Sequence, residues 1–151
     1  PKSLHLWARE VFAWGVMFVR IRTADLERVG KMRKEHMPKQ FDIRLRVFQE
    51  EPAFGKGVAE LMELIELKGS LSAAYKEMGM AASKAWKILK RAEADLGFSL
   101  VESVSGGKTG GYSKLTEEGK EFLKRYQMFR KEMDQAAEES FLKYFGNQDA
   151  T

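Results

Sequence analysis

The stretch from Gly69 to Gly119 decides the fold: GSLSAAYKEMGM (69–80), ASKAWKILKRAEADLG (82–97), SLVESV (99–104), SGGKTGG (105–111) and YSKLTEEG (112–119). Ser70 or Ser72 offers a hydroxyl to cap a helix over Ala73–Met78, which Gly79 breaks after barely two turns. Helical periodicity resumes from Ser83 to Leu96, with Ala85, Ile88, Leu89, Ala92 and Leu96 on one side. A short helix, a glycine turn and a second helix make a helix-turn-helix. Ser99–Val104 and Tyr112–Leu115 are β-compatible and flank a glycine-rich loop, so a hairpin with a tip longer than a tight turn follows.

Upstream, Val58, Leu61, Met62, Ile65 and Leu67 set a helix that runs to about Lys68 and stops at Gly69. Phe41, Ile43, Leu45 and Val47 alternate with Asp42, Arg44 and Arg46, the period of a strand with one buried face. The later hairpin is its expected partner, giving a small three-stranded sheet. Downstream, Thr116 suits an N-cap, and Glu117 and Glu118 suit the positive end of the helix behind it. Phe122, Tyr126, Phe129 and Met133, then Ala136 and Ser140, recur at steps of four and three along a helix reaching about Phe145. That helix is longer than a small domain can cover, so its stripe is expected to pair with a second copy of the chain.

Residues 1–40 stand apart. Trp7, Phe12, Trp14 and Phe18 lie in a helix-compatible run, followed by a basic stretch to Pro38. The segment reads as a packing helix or dimerisation arm, as a piece foreign to the functional domain, or as a ligand-binding element; Met37 suits the start of a compact domain. The expected division is an extension over 1–40, a helix-turn-helix domain with its hairpin over 41–115, a dimerisation helix over 116–146 and a tail over 147–151.

The 151 residues are 44% apolar, enough for one ordinary core with extensions. Against 22 Asp and Glu stand 26 Lys and Arg, a surplus of +4 too small to identify a partner, so the position of the charge has to decide. Without cysteine there is no disulfide framework or thiolate metal site, and His5 and His36 are far apart in the chain. A cytoplasmic protein with no metal or cofactor is expected. The apolar run Leu4–Val19 is interrupted by Arg9 and Glu10 and is shorter than the ~20 residues of a spanning helix, so no membrane anchor is expected. No cluster of His, Cys and carboxylates and no nucleophile motif can be assembled, which argues against an enzyme.

On the helix over 83–96, Lys84, Lys87, Lys90 and Arg91 collect away from the apolar side, with Ser83 ahead of them. Such a face is either solvated surface or the footprint of a polyanion, and its place on the second helix of the pair favours a reader of the DNA major groove. Trp86 sits among the lysines, either as an aromatic anchor, which is the leading expectation, or as a side chain stacking on DNA. In the loop, Gly106, Gly107, Lys108 and Thr109 offer free backbone and a cation to phosphate oxygens or to a minor groove. The loop fails the Walker pattern, because no Gly-Lys-Ser/Thr ends it ahead of a helix at the required spacing. The expected function is a homodimeric DNA-binding transcriptional regulator acting on double-stranded DNA. An alternative is a protein-interaction adaptor that recruits a partner through the C-terminal helix or the aromatic N-terminal arm.

From about Phe54 to Phe145 the chain resembles the winged helix-turn-helix domain of ModE-type molybdate-responsive regulators, distant cousins of the LysR-type DNA-binding domain. The residues that carry the likeness are GSLSAA (69–74) leading to KAW (84–86), then LVE (100–102), SGGKTGG and KLTEEG (114–119). The resemblance implies a mainly α fold with a small β-hairpin wing and a long C-terminal dimerisation helix. It implies Ser83, Lys84, Trp86 and Lys87 on the recognition helix, and Gly106, Gly107, Lys108, Gly110 and Gly111 on the wing. Tyr75, where the helix pair usually has a small residue, and Ser103, where a basic residue often precedes the wing, depart from the pattern. The oxyanion-binding domains of full-length relatives would follow the last helix and the sequence ends at Thr151, so no direct molybdate binding is expected.

Overall fold

Helix α1 (Lys56–Lys68) turns Val58, Ala59, Leu61, Met62 and Ile65 inward, and Gly69, with φ 66°, stops it. A left-handed residue is cheap there because glycine has no Cβ, and its N–H reaches the Ile65 carbonyl at 2.8 Å. Leu67, expected on the buried face, is 76% exposed: two residues past Ile65, it lies about 200° round the helix from that inward position. Helix α2 (Leu71–Glu77) starts two residues after Gly69, with the Ser70 hydroxyl between them accepting the Ala73 N–H at 3.2 Å. Gly79, also in the left-handed region at φ 62°, turns the chain into α3 (Ala82–Leu96). The computed structural model describes residues 36–104 and 111–146, so the apolar run 4–19, the loop residues Gly106, Gly107, Lys108 and Thr109, and the tail 147–151 lie outside it. The chain divides into the units Pro1–Met37 and Pro38–Thr151, and every helix and strand among the described residues belongs to the second.

Two strand pairs complete the frame. Strands β1 (Arg46–Val47) and β2 (Phe54–Gly55) pair antiparallel, Arg46 opposite Gly55 and Val47 opposite Phe54. Strands β3 (Val101–Val104) and β4 (Tyr112–Leu115) form a separate antiparallel hairpin, with Val101 opposite Leu115 and Val104 opposite Tyr112. The three-stranded sheet expected from the alternation over Phe41–Phe48 therefore does not form. The Ser113 N–H of β4 donates to the Gly69 carbonyl at 2.9 Å, so the end of α1 occupies that outer edge. The 41–45 segment lies along the last helix instead: Leu45 O accepts the Tyr126 hydroxyl at 3.1 Å, and the Phe41 and Phe141 rings lie 4.9 Å apart.

That last helix, α4 (Glu117–Phe145), begins where Thr116 accepts the Gly119 N–H at 2.9 Å and donates its hydroxyl to Ser99 O at 2.6 Å. The same threonine thus caps α4 and ties it to the strand side. Phe54 sits at the centre of the core, 1% exposed, edge-on to Phe122 at 4.8 Å and to Tyr126 at 5.0 Å. Leu89, Leu100, Leu115 and Leu123 close around the α1 face. The architecture is mainly helical, with a small antiparallel hairpin and a long C-terminal helix.

Candidate nucleic-acid interface

Only one side of α3 is gripped by the rest of the fold. Ala85, Leu89, Ala92 and Leu96 point into the core, while Ser83, Lys84, Trp86, Lys87, Lys90 and Arg91 are all exposed. Trp86 corrects the expectation of an anchoring aromatic: it is 43% exposed and faces solvent. The reason is the helical repeat, since one residue after Ala85 is about 100° round from the buried stripe. Its ring lies under a cation, the Lys90 Nζ being 5.8 Å from the ring centroid.

The start of α3 is open electrostatically. Its N-cap is Ala81, which has no side chain able to accept an N–H, and its first turn contains no acidic residue. The leading amide groups and the positive end of the helix dipole are therefore unanswered by side chains at the end where Ser83 and Lys84 sit.

The four cations expected to act together separate into two kinds. Among the described residues, no carboxylate lies within ion-pair distance of Lys84 or Lys87. Lys90, by contrast, is bonded to Glu93 at 2.6 Å and Arg91 to Glu51 at 3.3 Å. Of the four expected cations, Lys90 and Arg91 are therefore charge-paired within the protein. Glu93 is held from beneath, because its Oε1 accepts the N–H groups of Leu100 at 2.8 Å and Val101 at 3.3 Å. Glu51 is brought up by the β1–β2 connection, whose amides bind Asp95.

The hairpin carries its strands as expected, with the exposed pair Val104 and Tyr112 at the base of the loop and Ser103 bonded to the buried Ser113, Oγ to Oγ, at 2.9 Å. Its candidate residues Gly106, Gly107, Lys108 and Thr109 lie outside the described residues.

The stripe expected to pair with a second copy divides along α4. Tyr126 is 4% exposed and Phe122 packs on Phe54 and Phe98, so both belong to the protomer's own core, a correction to their assignment as partner contacts. Phe129 and Met133 are exposed, together with Met128, Leu142 and Phe145. From Gln127 onward about 28 Å of helix extends past the last fully buried position.

An open cleft of about 490 Å³ lies between the 42–58 segment, α3 and α4. Arg44, Arg46, Lys56, Arg91 and Arg130 line it, and all but Arg46 face a carboxylate: Asp42 for Arg44, Glu60 for Lys56, Glu51 for Arg91 and Asp134 for Arg130. Among the described residues most of the charge lining this cleft is paired, Arg46 excepted, whereas both Lys84 and Lys87 on the outer face of α3 lack a carboxylate. Among the described residues no helix is long and apolar enough to cross a membrane.

Compared with known proteins, the chain matches no family model and no curated protein.

The sequence alone placed the lysines on one helix but missed the carboxylates that divide them. Glu93 was legible in principle, three residues after Lys90, the spacing at which helical side chains meet. Glu51 was not, because 40 residues separate it from Arg91.

Proposed function

We propose that this chain is a DNA-binding transcriptional regulator of the winged helix-turn-helix class, similar to the ModE-type domain. In this function α3 enters the major groove, the β3–β4 hairpin acts as a wing against backbone or minor groove, and α4 pairs two copies. The observation that carries it is the outer face of α3: Ser83, Lys84, Trp86 and Lys87 are all exposed, and the two lysines lack a carboxylate partner among the described residues. An uncapped helix start beside those lysines adds favourable partial charge for a phosphate. Lysines position the protein on the duplex, while Ser83 and Trp86 are placed to read it.

Fluorescence anisotropy of a labelled duplex titrated at several salt concentrations tests the proposal. Wild type binds, its affinity falls with salt, and Lys84→Ala and Lys87→Ala each flatten the slope of log K against log salt by about 0.9. Absence of binding at low salt, or unchanged slopes in both variants, rejects it.

A second function is favoured by a different observation. Met128, Phe129, Leu142 and Phe145 leave the far part of α4 apolar and exposed, the surface an adaptor would use to hold a partner protein. A one-to-one complex with another protein, without any retention on duplex DNA, would select it.

A further inference from the structure

Glu93 is the only charged side chain buried among the described residues, 8% exposed, and it lies one turn along α3 from Lys90. Its two oxygens do different things. Oε1 accepts the amides of Leu100 and Val101, fixing the carboxylate to the start of β3. Oε2 takes the Lys90 ammonium at 2.6 Å, and that ammonium also stands 5.8 Å from the Trp86 ring.

We infer that Glu93 is a positioning residue of the DNA-contacting face: it cancels the charge of Lys90 and leaves Lys84 and Lys87 as the phosphate-binding cations of α3. This rests on the DNA-binding function proposed above.

An ion pair between two exposed side chains is weak, and a phosphate would compete for the lysine. Glu93 differs because its carboxylate cannot swing out to water without breaking two hydrogen bonds from the backbone N–H groups of Leu100 and Val101 in a buried place. Removing Lys90 from it would leave a buried negative charge without its cation. The ammonium has three donors and can touch a phosphate while still bonded to Glu93, but the pair as a whole carries no net charge. Counterion release follows the net cationic charge set against the phosphates, so this lysine adds little to it.

The effect is on selectivity. Sequence-independent attraction grows with the number of uncompensated cations, whereas discrimination comes from groups that reach base edges. By silencing one cation on the face that carries Ser83 and Trp86, Glu93 lowers background binding to arbitrary duplex without removing a reading group.

Salt titrations of a duplex of arbitrary sequence with wild type, Glu93→Gln and the double variant Lys90→Met with Glu93→Gln test this. The double variant removes a pair of no net charge and leaves no buried charge unpaired, so it is expected to keep the wild-type slope. Glu93→Gln alone is expected to steepen the slope by about 0.9, because its amide oxygen still accepts the Leu100 and Val101 N–H groups while Lys90 is freed. The inference is overturned if the double variant flattens the slope by a similar amount, or if folded Glu93→Gln leaves it unchanged. Circular dichroism establishes folding; where Glu93→Gln alone does not fold, the double variant decides. A wild type that binds no duplex removes the proposed function and this inference together, whereas a binding wild type with a flattened slope in the double variant removes only the inference.

Discussion

Asp95 holds Glu51 by its backbone: the Asp95 Oδ1 accepts the Glu51 N–H at 2.8 Å. The same carboxylate accepts the N–H groups of Glu50 at 2.9 Å and Gln49 at 2.8 Å, so one side chain near the end of α3 fixes the whole β1–β2 connection. These bonds, Glu51 first, hold its pKa below the ordinary aspartate value against a smaller opposing effect of desolvation. A carboxyl depressed on folding stabilises the native state above its unfolded pKa, and that contribution is lost as pH falls through the lower folded value. Asp95→Asn is therefore expected to remove the part of the acid-side loss of Tm that arises in this window. Amide exchange at Gln49, Glu50 and Glu51 should quicken in the variant at neutral pH, and unchanged exchange would show that the connection stands without Asp95.

Gly119→Ala tests how closely α4 approaches the strand side. Alanine ordinarily favours a helix over glycine by roughly 0.5–1 kcal/mol. Here a Cβ would run into the Leu100 carbonyl oxygen, which is backbone and has no rotamer in which to escape. Destabilisation by about 1–3 kcal/mol is expected, read as a lower urea midpoint with an unchanged slope. A raised midpoint would mean that α4 can shift away from Leu100 freely.

Trp86 and Leu89 stand on the same helix and should respond oppositely. Leu89 is 1% exposed, and Leu89→Ala is expected to cost about 2–5 kcal/mol. Trp86→Ala should change stability by less than about 1 kcal/mol, as for an exposed position, while weakening duplex binding. Large destabilisation by Trp86→Ala in chemical denaturation would return the ring to the role of anchor.

Self-association through α4 predicts a split between neighbouring aromatics. Changing both Phe129 and Met133 to Glu should convert a dimer into a folded monomer in sedimentation equilibrium. Phe122→Ala should instead lower stability by about 3–5 kcal/mol or somewhat less, because that ring packs on Phe54 and Phe98 within the protomer. A wild type that stays monomeric at high micromolar concentration would refute the pairing.

Element types and boundaries were largely legible in the residues. The glycines at 69 and 79, the caps Ser70 and Thr116 and the apolar spacing of α1 and α3 each act locally, within one turn of the chain. What escaped depends on distant partners. The alternation over Phe41–Phe48 indicates a half-buried extended segment but cannot say that α4, rather than the hairpin, covers it. Likewise the stripe on α4 is continuous in sequence, and only the position of Phe54 reveals that its first two aromatics face inward. At the candidate interface, helix spacing identifies which lysines share a face. Their electrostatic state depends on Glu51 and on the depth of Glu93, neither of which periodicity encodes.

The bond from Ser113 to the Gly69 carbonyl makes the terminus of α1 a mooring for the outer strand. Lengthening the connection between α1 and α2 by even one residue would cast that strand adrift and swing the hairpin relative to α3. Extra residues introduced between Val104 and Tyr112 leave that mooring in place. Natural or engineered variation in length should therefore be tolerated between the two strands and resisted at the helix junction.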